Sequence, residues 1–206
     1  MPKYIPPKKG LRVLGIAESF NKKSHIRRSV LAGVVMRADL QIDGFSFGLC
    51  TVGGLDATEA IIGLYKKLER KDIRTIILSG TVISMYNVVD LNRVYERCGI
   101  PVIAVTYEYS EGLEKYLAEL PDAEVRINIY KKNGPRVLVK LRNEYLVYVR
   151  PVGISLGNAV EILNLYAIHG RYIEPIRVAR ILARSVYRLL FMNGVSFQIV
   201  TNNSFG

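Results

Sequence analysis

The chain begins its ordered patterning with an apolar run in LRVLGIAESF (residues 11–20), where Leu11, Val13, Leu14 and Ile16 supply a strand-length buried segment before polar residues take over. NKKSHIRR (21–28) follows and reads as a basic loop. SVLAGVVMRAD (29–39) is apolar and rich in β-branched residues, which predicts a second strand. QIDGFSFGLCTV (41–52) suits a third, with Asp43-Gly44 as a hairpin signal near its start. Three strands joined by short loops imply an antiparallel meander.

The period then changes. LDATEAIIGLYKKLER places Ile61, Ile62, Tyr65 and Leu68 at helical spacing, with Asp56 as the N-cap and Glu59 three residues later in a capping-box-like start. RTIILSG (74–80) reads as a buried strand by its unbroken apolar run. NVVDLNRVYERCG predicts a second helix, capped by Asn87 and stopped by Gly99, and PVIAVTY another buried strand. SEGLEKYLAEL predicts a third helix that Pro121 ends. EVRINIY, PRVLVKL and EYLVYVRP read as strands, the first two joined by KKNGP with Asn133-Gly134 at the tip. Two helices finish the chain: SLGNAVEILNLYAIHG, capped at Ser155 and stopped by Gly170, and EPIRVARILARSVYRLLF, in which Pro175 fits the first helical position.

Composition adds bounds. At 206 residues and 50% hydrophobic, the chain has ample material for one packed core, so residues 1–206 are expected to form a single domain with a basic, proline-rich arm at 1–10. No apolar run approaches the ~18–20 residues of a membrane span, and MPKYIPPKKG lacks the apolar stretch of a secretory signal. The expectation is a cytoplasmic protein without a membrane partner, its oligomeric state left open. Cys50 and Cys98 have no CxxC partner, and His25 and His169 stand alone, so neither a disulfide framework nor a zinc site is expected.

Charge changes the picture more. Lys+Arg 29 against Asp+Glu 18 gives a net charge of +11, which favours a polyanionic partner, nucleic acid foremost. On the last helix Arg177, Arg180, Arg184 and Arg188 are spaced three, four and four apart, within roughly 80° of arc. Four like charges on one stripe repel unless a phosphate backbone or an acidic partner answers them.

The element order, a three-strand meander followed by alternating helix and strand, matches the ribonuclease H-like α/β architecture with its mixed sheet. There the first and fourth strands are neighbours, which gathers Ala17-Glu18, Asp56 and Ser79 at one edge. Nucleases on this fold place carboxylates at such positions to hold Mg²⁺, because phosphodiester hydrolysis needs a hard cation on the attacking and leaving oxygens. A plain structural reading stands beside this: Asp56 and Asn87 as helix caps, Asp90 as first-turn negative charge.

GLDAT (54–58), NVVD (87–90), GIPVIAV (99–105) and IEPIRVAR (173–180) together resemble the archaeal endonuclease dU family, which is similar to endonuclease V. The resemblance implies an endonuclease V-like fold with extra C-terminal strands and two helices. It also implies cleavage of DNA carrying deaminated bases such as uracil, dependent on Mg²⁺ or Mn²⁺. Carried over by position, Glu18 and Asp56 are the catalytic and metal-binding candidates. Ser79, Asn87, Asp90, Arg177, Arg180 and Arg184 are the candidates for substrate binding. The family's first strand characteristically ends in two aspartates where this chain has Ala17 and Glu18. The aspartate usual after the fourth strand is Ser79, and the histidine that usually closes the last motif is Arg180. Two readings follow: a diverged endonuclease using Asp56 and Glu18, or a non-catalytic relative that binds nucleic acid or a partner through the basic cleft and arginine stripe.

Overall fold

The computed structural model describes residues 4–192. Strands β1 (Arg12–Ser19), β2 (Arg28–Arg37) and β3 (Ile42–Thr51) form the expected antiparallel meander. Helix α1 (Ala57–Lys66) then crosses to β4 (Ile73–Leu78). A small ribbon, β5 (Val82–Ile83) and β6 (Asn87–Val88), precedes α2 (Leu91–Cys98), β7 (Val102–Thr106), the single turn α3 (Glu114–Leu117) and α4 (Ala123–Lys132). The hairpin β8 (Val137–Lys140) and β9 (Leu146–Val152) leads to α5 (Leu156–Tyr166) and α6 (Glu174–Phe191).

The seven-stranded sheet runs β3-β2-β1-β4-β7-β9-β8, so β1 and β4 lie side by side, parallel, at its centre. One face packs under α1 and α2 through Leu14, Ile16, Ile61, Leu64, Ile76 and Val94. The other packs under α5 and α6 through Val13, Ala17, Ile77, Ile103, Ile162 and Ile176. Helix α6 buries Pro175, Ile176, Ala179, Ala183 and Tyr187 against the sheet, and the two alanines allow a close approach. Gly15 completes that fit, since a β-carbon there would lie 2.5 Å from the Pro175 carbonyl carbon. Ile181, on the outer side of the same helix, is 52% exposed.

Several local expectations are corrected. Asp43-Gly44 is not a hairpin turn; the β2–β3 turn is at Arg37–Gln41 with Leu40 at φ 66°, and Asp43 is the extra residue of a bulge. Its carboxylate pairs with Arg12 and Arg70, which explains why an acid sits there. The third expected helix shrinks to one turn at Glu114–Leu117. EVRINIY, whose apolar residues alternate as in a strand, is the helix α4, and the Asn133-Gly134 hairpin tip is its C-terminus, with Gly134 at φ 74°. The residues it buries are Arg126, Tyr130 and Asn133, at helical spacing. Tyr130 packs with Val88 and Leu117, and Ile127 and Ile129 flank that small cluster.

Asn87 does not cap the second helix either. Asp90 does, accepting from the Arg93 N–H at 3.0 Å, and Gly99 closes the helix in the left-handed region as expected. The N-terminal arm is anchored: Ile5 is buried and its N–H and carbonyl both pair with the Asn158 amide at 2.7 Å.

Candidate functional site

The sheet's central strands deliver their carboxyl ends to one edge. The Ser79 N–H donates to the Ile16 carbonyl at 3.1 Å, extending the β1–β4 ladder so that positions 17 and 79 become neighbours. Ala17 is 2% exposed and packs in the cluster under α6. Glu18 points the other way, as strand alternation requires. It lies on the face of Leu14 and Ile16 under α1, and its charge helps to raise the Cys50 thiol. Glu18 therefore does not stand in for an acid at position 17. Burial pushes its carboxyl above the ordinary glutamate range, offset only in part by its own backbone N–H, the Arg180 guanidinium and Ser84.

Asp56 sits at the N-terminus of α1 but does not cap it. Both carboxylate oxygens accept from the Thr51 N–H at 3.0 Å; Oδ2 also takes the Thr51 hydroxyl at 2.8 Å, and Oδ1 the Asn87 Nδ2 at 2.8 Å. The cap is supplied by Asn87, whose Oδ1 accepts from the Ala57 N–H at 3.0 Å. Burial raises the Asp56 carboxyl, but these donors outweigh it and hold the group below the ordinary aspartate range. Gly54 makes room for this arrangement: a β-carbon there would lie 2.9 Å from Asp56 Oδ1 and 2.7 Å from the Thr51 β-carbon.

Two features behind Asp56 had no sequence signal. Ser84, Met85 and Tyr86 are three consecutive residues in the left-handed region, at φ 45°, 63° and 66°, a conformation that costs roughly 1–2 kcal/mol per residue. Arg126, 3% exposed, holds that turn and the Gly53-Gly54 loop together. Its guanidinium donates to the carbonyls of Gly53, Gly54, Tyr86 and Pro121 at 2.7–3.0 Å.

The remaining candidates separate. Asp90 is occupied by the Arg93 N–H and by Lys132 at 2.9 Å. Arg177 is held by Glu174 through two hydrogen bonds of 2.8 and 2.6 Å on its own helix. Arg180 reaches the strand ends, donating to the Ser79 hydroxyl at 2.6 Å. Arg180 and Arg184, with Arg177, Tyr107 and Tyr172, line a groove of about 190 Å³ along α6. Beside it, Ser79, Tyr107, Arg171 and Arg180 line a cavity of about 260 Å³. The structure thus unites Ser79 with Arg180, and Asp56 with Asn87, while Asp90 pairs with Lys132 and Arg177 lines the groove held by Glu174.

These donors do not fit a divalent cation. Among the described residues there is no group of three or more His, Cys, Asp or Glu able to hold a metal ion. Asp56 has no oxygen free of hydrogen bonds, Ser79 offers only a neutral hydroxyl, and a guanidinium occupies the place beside it.

Residues 9–187 match the endonuclease dU family. The chain belongs to this family. Among its relatives is a UPF0215 protein of Pyrobaculum calidifontis, 36% identical over 86% of this chain and 97% of that one. Another, from Thermococcus kodakarensis, is 34% identical over 85% and 92%. A crystal structure of a protein of unknown function from Archaeoglobus fulgidus superposes with a TM-score of 0.74 at 26% identity, covering 85% of this chain and 98% of that one. Endonuclease V of Ciona intestinalis, in complex with DNA containing an inosine followed by a ribo-adenosine, superposes with a TM-score of 0.61 at 17% identity, covering 88% of each chain. The ribonuclease H-like, endonuclease V-like fold expected from the element order is the fold observed. Family and fold together support a nuclease-type function.

Proposed function

We propose that this member of the endonuclease dU family binds nucleic acid at the carboxyl edge of its sheet without cleaving it. The observation that carries this reading is the Arg180–Ser79 hydrogen bond at the end of β4. It puts a fixed cation where metal-dependent cleavage needs acidic ligands, and a guanidinium binds phosphate through its planar fork of donors. Ala17 beside it supplies no ligand, and Asp56 spends its oxygens on Thr51 and Asn87. In this reading Arg180 and Arg184 take backbone phosphates, while Ser79 and Asn87 order the edge. The net charge of +11 supports the same partner.

The test has two arms. Incubation with uracil- or hypoxanthine-containing DNA and Mg²⁺ or Mn²⁺ is expected to give no cleavage; cleavage abolished by Asp56→Ala would establish an active endonuclease instead. Fluorescence anisotropy is expected to show salt-dependent DNA binding, with Arg180→Ala and Arg184→Ala each reducing the salt slope by about 1. Binding indifferent to both substitutions would remove the proposed interface.

A further inference from the structure

Beyond the Ser79–Arg180 edge, a second cleft of about 470 Å³ opens between the segment after β7, strand β9 and the end of α4. That volume lies in the ~300–1,000 Å³ range of ligand pockets. Its walls differ in chemistry. One carries Arg136, Arg150 and Lys131, and tyrosines 109, 130 and 148 contribute ring surface.

Arg150 is the informative residue. It is 6% exposed, stacks on the Tyr130 ring at 4.8 Å, and donates from Nη1 to the neutral Thr81 hydroxyl at 2.9 Å. Its Nε is buried and has no hydrogen-bond partner among the described residues. A guanidinium taken out of water costs several kcal/mol unless an anion and full hydrogen bonding compensate it. Here the protein supplies an aromatic face and one hydroxyl, so a further anionic partner is called for. Arg136 stands over the Tyr148 ring at 5.2 Å, its Nη2 donating to the Ser110 carbonyl at 2.5 Å. The Tyr109 ring lies 6.3 Å from that of Tyr148, tilted by 49°. Glu111 and Glu114 also line the cleft but make no ion pair with Arg136 or Arg150 among the described residues, so the two guanidinium groups remain the anchors for phosphate.

We infer that this cleft takes an unpaired nucleic-acid strand, its phosphates on Arg136 and Arg150 and its bases on the faces of Tyr109 and Tyr148. The inference rests on the nucleic-acid-binding reading above and narrows it. A duplex keeps its base faces stacked and offers them to no tyrosine; an unpaired strand presents both base faces and phosphates. Stacking on aromatic rings tolerates any base, so recognition here is of strandedness rather than of sequence.

The experiment compares fluorescein-labelled oligothymidylate of about a dozen nucleotides, within the usual reach of such clefts, with a duplex of equal length, using the full chain. The strand is expected to bind more tightly than the duplex. Tyr109 is 71% exposed, so Tyr109→Ala leaves the fold intact. It is expected to weaken strand binding about tenfold while duplex binding stays within about twofold. Arg136→Ala provides a second variant with the same expected pattern. Equal affinity for strand and duplex, or strand affinity unmoved by both variants, overturns the inference while leaving the α6 interface standing. Displacement of the strand by thymidine monophosphate as effectively as by unlabelled oligonucleotide also overturns it, since the site would then take free nucleotides. Absence of binding to either nucleic acid defeats the broader reading as well.

Discussion

The Asp56 corner and the Arg150 cleft are both polar regions near the carboxyl ends of the central strands, and they are satisfied in opposite ways. At Asp56 every acceptor is met: Thr51 supplies two donors, Asn87 a third, and Asn87 returns a cap to α1. At Arg150 a buried donor is left over. A metal site needs carboxylate lone pairs to spare, and a polyanion site needs N–H groups to spare. The Asp56 corner is closed on itself, and the unmet donor lies with a cation. Under the proposed function Asp56 acts as a fastener between Thr51 and Asn87 rather than as a ligand.

The comparison can be broken most forcefully at Arg126. Arg126→Met strips four backbone carbonyls of their donor, and the Gly53-Gly54 loop and left-handed turn behind Asp56 lose their common anchor. The expected loss is about 3 kcal/mol, measured as a lower urea midpoint. An unchanged midpoint would mean that the corner holds itself together without its buried arginine.

Asp56→Ala is the next largest. It leaves the Thr51 N–H and the Asn87 amide without their acceptor, at an expected cost of about 1–3 kcal/mol, with nucleic-acid affinity unchanged. Because the folded carboxyl titrates below the ordinary aspartate value of about 3.9, its contribution is present above that value. It is lost as pH falls through the lower, folded value, so wild type and variant should converge in stability only in strong acid. A drop in DNA affinity with no drop in stability would return Asp56 to the binding machinery.

Glu18→Gln should have the smallest effect, with opposite sign. Burial raises the folded carboxyl above its ordinary value of about 4.3, so its ionisation works against the fold. Wild-type stability is therefore expected to fall as pH rises through the raised value. The glutamine variant escapes that fall, and its melting temperature at neutral pH should equal or slightly exceed that of wild type. A lower one would show that attraction to Arg180 outweighs the cost of burial.

How far these regions were legible in the sequence depends on the kind of signal. Apolar periodicity exposed the meander, the buried strands β4 and β7 and the last two helices, because burial of a strand or helix face is written into residue spacing, and the element order then placed β1 beside β4. It failed at EVRINIY, where Val125, Ile127 and Ile129 alternate as in a strand while the buried residues are Arg126 and Tyr130. The cap assignments failed for a related reason. Asp56 and Asn87 are both good capping residues, but the sequence does not say that Asn87, thirty-one positions away, would cap the helix that Asp56 precedes. Arg150 gave no warning, since in EYLVYVRP it looks like a charge at the end of a strand.

By itself the sequence determined the order of the elements apart from α4 and the β5–β6 ribbon, the edge where the ends of β1, β4 and α1 meet, the family, and the surplus of positive charge. The resemblance also implied acids or a histidine at positions where this chain carries Ala17, Ser79 and Arg180. Only the tertiary structure decided what the remaining polar groups do: that Asp56 is saturated, that Glu18 faces away from position 17, that Arg180 meets Ser79, and that Arg150 is buried with a donor to spare. The physical reason is range. Apolar burial follows from periodicity along the chain, whereas a hydrogen bond exists only when donor and acceptor come within about 3 Å, and here those partners arrive from segments distant in sequence.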